Sequence, residues 1–183
     1  MVKVLVPLAD GVEELEAVTI IDVLRRGGVD VAGAAIGKET RVEGSRGVIF
    51  LADGLWQNLD SETFDAIVLP GGGQGTENLA ADERVLDAIR AFNDAGKLVA
   101  AVCAGPTVLE AAGVLEGHKA TCYPSCAKTL GPEYENVPVV ADGNIITSQG
   151  PGTAMMFALV VLSHLVGEET ARRVATGLLA PQF

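Results

Sequence analysis

Leu98-Val99-Ala100-Ala101-Val102-Cys103-Ala104-Gly105-Pro106 is an apolar run that ends at a thiol and breaks at once into Ala, Gly and Pro. The uninterrupted apolar stretch reads as a strand buried on both faces. Val108, Leu109, Ala111 and Ala112 follow as the start of a helix. A strand that turns sharply into a helix with a nucleophile at the corner is a nucleophile elbow. It places the sulfur at the carboxyl edge of a sheet, beside the positive end of a helix dipole, a setting that favours thiolate over thiol. Cys103 is the candidate nucleophile, and the chain reads as an enzyme or a redox-responsive protein built around it.

Outward from this elbow, strand and helix signals alternate to both ends. Lys3 to Leu8 reads as a first buried strand, and Ala17, Ile20, Ile21 and Leu24 recur at helical spacing until Gly27-Gly28. Asp30 to Ile36 is a second strand, and residues 38–54 form a short antiparallel excursion around Val48-Ile49-Phe50-Leu51. Ala66 to Leu69 is a strand ending at Pro70-Gly71-Gly72-Gly73, and Val85, Ala88, Ile89 and Phe92 form a helical face closed by Gly96. Past the elbow, Ala120-Thr121-Cys122 is expected as a strand and Val137 to Thr147 as a hairpin around Asp142-Gly143-Asn144. Gly150-Pro151-Gly152 opens an apolar helix to about Val166, and a last helix spans roughly Glu168 to Gly177. No repeat or linker divides the chain, so residues 1–183 are expected as one α/β domain, a mostly parallel sheet between helices.

The 183 residues are 49% hydrophobic but only 4% aromatic, which suits a Val, Ala, Leu and Ile core of that kind. Lys and Arg number 13 against 24 Asp and Glu, a formal charge of −11, which argues against nucleic acid and anionic membrane as partners. Met1-Val2-Lys3 leads straight into a strand with no secretory signal pattern, and Ala154 to Leu162 is too short for a membrane span. Three cysteines do not make a disulfide framework, so a cytoplasmic protein is expected.

In such sheets the site forms at the carboxyl ends of the strands. Gly71-Gly72-Gly73 follows a strand directly: either its N–H groups approach a ligand as an oxyanion hole, or it is only a tight turn. It is neither a Walker A loop nor a dinucleotide fingerprint. Glu13 and Glu14 suit the first turn of a helix, with Asp10 and Glu13 at capping-box spacing. Glu16 shares a face with Ile20 and Val23, so it is expected to point partly inward, where a raised pKa lets it pass protons to and from a thiol. His118 and His164 read as structural. Cys122 and Cys126 lack the further ligands of a zinc site; Cys122 is expected in the core, with Cys126 open as a resolving thiol.

Asp10-Gly11-Val12-Glu13-Glu14-Leu15-Glu16, Val68-Leu69-Pro70-Gly71-Gly72, Ala101-Val102-Cys103-Ala104-Gly105-Pro106 and Thr147-Ser148-Gln149-Gly150-Pro151-Gly152-Thr153 together resemble the ThiJ/PfpI superfamily, within it the clade of the human parkinsonism-associated protein deglycase and its bacterial homologues. The resemblance implies a flavodoxin-like three-layer sandwich of the class I glutamine amidotransferase type, and a homodimer. It implies that Cys103 pairs with a protonated Glu16 and that the N–H groups of Gly72 and Ala104 line an oxyanion site. Arg46 matches a pocket arginine, and Arg26 and Pro151 match residues that approach the pocket across a dimer interface. Two departures bear on chemistry. Ala104 stands where the protease-like branch has a histidine, which argues against peptidase activity. Tyr123 precedes Pro124 where the human clade has a histidine, and a phenol is a poor base at neutral pH, so more proton transfer falls to Glu16.

The resemblance implies a glyoxalase III or deglycase acting on a small aldehyde or glycated substrate, with no cofactor and no metal. The alternative is an oxidative-stress sensor or redox-regulated chaperone working through oxidation of Cys103. A glutamine amidotransferase would need a distal His-x-Glu that the chain lacks.

Overall fold

In the computed structural model, which describes residues 1–180, the central strands feed two apolar layers by simple alternation. In β1 (Lys3–Leu8), Val4, Val6 and Leu8 enter one layer and Leu5 the other; in β6 (Ala66–Leu69), Ala66 and Val68 oppose Ile67 and Leu69. In β7 (Leu98–Val102), Leu98, Ala100 and Val102 likewise oppose Val99 and Ala101. Burial on both faces is why these strands are continuous apolar runs.

With β2 (Asp30–Ala35), β5 (Gly54–Leu55), β8 (Val139–Asp142) and β9 (Ile145–Ser148), they form a seven-stranded sheet of order β5-β2-β1-β6-β7-β9-β8. Every pairing is parallel except β8 with β9, the expected hairpin. The excursion is a separate antiparallel ribbon of β3 (Arg41–Glu43) and β4 (Ile49–Leu51). Helices α1 (Glu14–Arg26), α6 (Ala154–Val166) and α7 (Glu168–Gly177) cover one face, and α2 (Gly73–Ala80), α3 (Glu83–Asp94) and α4 (Pro106–Ala112) the other. A short α5 (Ala127–Leu130) packs beside α4. This is the three-layer sandwich expected. The chain leaves β1 toward β2 and returns on the other side of β1 as β6, so the carboxyl ends of β1 and β6 flank the switch point where such folds place their sites.

Three expectations are corrected. Ala120–Cys122 is no strand: Ala120 makes one isolated bridge to Tyr134, and the Thr121 N–H donates to the Thr147 hydroxyl at 2.8 Å. β9 already has β7 and β8 on its two edges, so no ladder is open to the segment. Asp10 does not cap α1; its carboxylate accepts from the Glu43 N–H at 2.9 Å, and Glu13 is the N-cap without a side-chain bond. An apolar helix with no polar face would need cover on several sides, which a second copy could give; α6 is instead enclosed within one chain by the sheet, α1 and α7, leaving Met156 the exposed large apolar side chain on it. Among the described residues no helix is long and apolar enough to cross a membrane.

Candidate active site

The elbow is a strained backbone corner. Cys103 has φ +63°, a conformation that side-chain-bearing residues avoid at roughly 1–2 kcal/mol. The surroundings impose it: the Cys103 N–H donates to Ser148 O at 2.9 Å, the Tyr123 N–H donates to Cys103 O at 2.7 Å, and the Gly105 N–H closes on Val102 O at 2.8 Å. The thiol is thereby turned out of the strand, with the residue 9% exposed.

Glu16 comes to it from the first turns of α1 and is fully buried. Its Oε2 accepts from the Gly71 N–H at 2.7 Å. The carboxyl also faces the Cys103 thiol closely enough for each to shift the other's titration, and Oε1 has no hydrogen-bond partner. Gly71 must be glycine here: a Cβ would lie 2.6 Å from the Cys103 Cβ and 2.7 Å from Glu16 Oε2. Gly72, at φ +97°, turns its N–H toward the sulfur, and the Ala104 N–H joins it. The Gly72 and Ala104 N–H groups thus face the sulfur, whereas the Gly71 N–H donates to Glu16.

Burial pushes the Glu16 carboxyl up from 4.5 to about 7, against the Gly71 and Cys103 hydrogen bonds, with the Glu13 charge adding to the rise. Burial also pushes the Cys103 thiol up to about 12, and a charged Glu16 raises it further, while the Gly72 and Ala104 N–H groups pull it down. This corrects the expectation of a thiol acidified by its helix: α4 has only seven residues, too short for a strong dipole, and the sulfur is desolvated. The thiolate therefore depends on Glu16. When the carboxyl carries the proton of the pair, its charge is gone and its O–H becomes a third donor to the sulfur.

The sulfur opens into a cleft of about 370 Å³ lined by Glu13, Ser45, Arg46, Gly72, Gly73 and Tyr123 among others. Arg46 and Tyr123 both line this cleft. Pro151, expected from across a dimer interface, lines the cleft of its own chain. Arg26 lies at the opposite end of α1 from Glu14 and Glu16, paired with Asp22 at 2.6 Å, and is not among the cleft residues. Cys122 is fully buried, as expected, and Cys126 lines the cleft wall. Sequence reasoning missed Glu14, assigned to dipole compensation. It is buried, and its carboxylate turns away from α1 to bind the loop that carries Arg46. Helical spacing carries no signal for a carboxylate that serves a distant loop.

A doubly wound α/β sandwich with a cysteine on a strained elbow and a buried carboxyl against it defines an α/β protein of the nucleophile-elbow class. The chain belongs to the DJ-1/PfpI family, whose model matches residues 2–164. It is similar to Protein dj-1beta of Drosophila melanogaster, 44% identical over 178 residues, 96% of this chain and 95% of that one. It is also similar to the Glutathione-independent glyoxalase DJR-1.2 of Caenorhabditis elegans, 36% identical over 169 residues, 91% of this chain and 89% of that one. Among solved structures, oxidized DJ-1 of Toxoplasma gondii matches with TM-score 0.96 and 38% identity, covering 100% of both chains. Against two Arabidopsis thaliana relatives, DJ-1 homologs B and A, the chain spans 41% and 46% of their length.

Proposed function

We propose that the chain is a cysteine-dependent enzyme acting on small reactive carbonyl compounds, of the glyoxalase III or deglycase kind, that converts methylglyoxal and water to lactate. The observation that carries this reading is the buried Glu16 carboxyl against the Cys103 thiol, its pKa pushed up to about 7 and its Oε1 without a hydrogen-bond partner. A group that exchanges its proton near neutrality beside a nucleophile is matched to general acid–base work. The name of the Caenorhabditis elegans relative supports it.

With the pair's proton on Glu16, the sulfur adds to the aldehyde carbon. A C–S bond forms, the carbonyl electron pair moves to oxygen between the Gly72 and Ala104 N–H groups, and Glu16 protonates it. The resulting carboxylate removes that carbon's hydrogen as a proton, leaving an enediolate with its charge on the second oxygen, and returns the proton to the neighbouring carbon. The hydroxyl proton on the first carbon passes to the second oxygen, leaving a lactoyl thioester. Water hydrolyses the thioester, releasing lactate and restoring the thiol. No step draws on a metal or a cofactor, and none asks the Tyr123 phenol to act as a base.

The deciding experiment is lactate formation from methylglyoxal by the purified protein, with Cys103→Ser as control. Lactate from the wild type alone supports the reading; none from the wild type, or equal amounts from both, overturns it.

A second reading, a redox sensor or redox-regulated chaperone, is favoured by the same free oxygen. Peroxide would oxidise the thiolate to sulfenic and then sulfinic acid, itself being reduced to water, and a protonated Oε1 would hold the added oxygen. Peroxide-dependent mass gain on Cys103 in a protein that makes no lactate would select it.

A further inference from the structure

The turn between β3 and β4 is wrapped around one carboxylate. Glu14, 7% exposed, accepts from the Arg46 N–H at 2.9 Å and the Val48 N–H at 3.3 Å with Oε1, and from the Ser45 hydroxyl at 3.2 Å with Oε2. The turn closes on it so tightly that a Cβ on Gly44 would lie 2.6 Å from the carboxyl carbon. Burial alone would raise this carboxyl, but these hydrogen bonds and that of its own backbone outweigh burial and hold it below its ordinary value, so it is ionised at neutral pH. β3 and β4 pair with each other rather than with the main sheet. The turn is otherwise held by its own Gly44 and Gly47 N–H bonds, by the Ser45 and Gly11 N–H bonds between it and the loop after β1, and by the Ser45 hydroxyl, which also donates to Glu13 at 2.8 Å. Glu14 is the buried carboxylate that takes up the Arg46 and Val48 N–H groups. Its outer side carries Ser45 and Arg46 into the cleft beside Cys103.

We infer that Glu14 is a positioning residue for substrate: it clamps the 44–48 turn so that the Arg46 guanidinium faces the thiol. A guanidinium there suits substrates or products that carry an anionic group. Glu16 manages the proton and Glu14 the recognition arm, both from the first turn of one helix. The inference rests on this cleft being where the thiol meets its reactants, and its test does not require methylglyoxal to be turned over.

The experiment compares the rates at which anionic iodoacetate and neutral iodoacetamide alkylate Cys103 in the full chain, read by mass mapping. The iodoacetate to iodoacetamide ratio reports positive charge beside the sulfur. In Arg46→Ala the ratio should fall about fivefold, the order expected for one charge a few ångströms away. Glu14→Gln, which keeps shape but loses an acceptor, should lower the ratio similarly while leaving the iodoacetamide rate unchanged. The double variant should fall no further than Arg46→Ala alone. Gly44→Ala presses a Cβ against the Glu14 carboxyl and displaces the turn without substituting any residue of α1, and should give the same result where Glu14→Gln fails to fold. The inference is overturned if Arg46→Ala keeps the wild-type ratio, if Glu14→Gln and Gly44→Ala keep it, or if Glu14→Gln also slows iodoacetamide, which would place its effect on the elbow. Should the ratios behave as expected and no lactate form, the clamp stands and the glyoxalase reading falls.

Discussion

Glu16 makes the proposed chemistry measurable in two independent ways. Glu16→Gln keeps the shape and a donor but cannot take up and return a proton, so lactate formation should drop by roughly 10²–10⁴-fold with the fold intact. The same substitution should change stability in the opposite sense. A carboxyl with an ordinary value of 4.5 when unfolded and about 7 when folded binds its proton more tightly in the native state. Between those values the native state holds more protons than the unfolded one, so unfolding free energy declines as pH rises from about 4.5 to about 7 and the loss is complete above it. A neutral Gln escapes that loss. Thermal unfolding scanned from pH 5 to pH 8 should show the variant gaining on the wild type as pH rises. A parallel pair of curves would mean that Glu16 is not titrating in the folded protein.

The elbow, the Gly-rich turn and the acidic turn converge because β1, β6 and β7 are adjacent and parallel; the parallel strands with the site at their carboxyl edge were readable, and the strand order was not. Apolar runs flag strands buried on both faces, and glycines after them flag turns needing close approach. Gly71 shows where that kind of reading stops. A triplet of glycines tells of a tight turn, but not that the first supplies the Glu16 hydrogen bond and leaves room for two side chains. Gly71→Ala should therefore drive Cys103 and Glu16 apart and lower kcat/KM for methylglyoxal by at least about 10²-fold, the size expected when reacting groups are displaced by an ångström. Circular dichroism and kinetics together check it, and near-wild-type kcat/KM in a folded variant would sever the geometry from the activity. Ala120–Cys122 failed for a related reason. Its composition is that of a strand, but both edges of β9 were taken, and no local pattern reports which edges remain open.

The homodimer that the resemblance implies draws no support from α6, which the fold encloses within one chain. The fold supplies a different case. Leu15 and Val18 stand about half exposed on α1, at 51% and 52%, and Ile49 and Leu51 of β4 are 54% and 74% exposed. Val18, Ile21, Phe50 and Leu51 line one shallow groove, so the two elements share an apolar patch, bordered by Asp22 and the Arg25–Asp53 ion pair. A two-fold axis through this face would bury the same patch on both copies. With α1 helices crossing in opposite directions, it would also carry the Arg26 end of one toward the Glu14 end of the other. This is the one route by which Arg26 reaches a cleft, because its own lies about 18 Å away along the helix, at 1.5 Å per residue. Each chain carries a formal charge of −11, so association has to overcome like-charge repulsion. A dimer held by apolar contact should tighten as salt rises through the range where the screening length falls below about 10 Å. Leu51→Glu, at a side chain already in water, should yield a folded monomer and, if Arg26 serves the neighbouring cleft, slower lactate formation. Light scattering across protein and salt concentration decides the case. A wild-type mass near one 18.9 kDa chain at micromolar concentration in high salt would refute the dimer, and with it any part for Arg26 in the cleft.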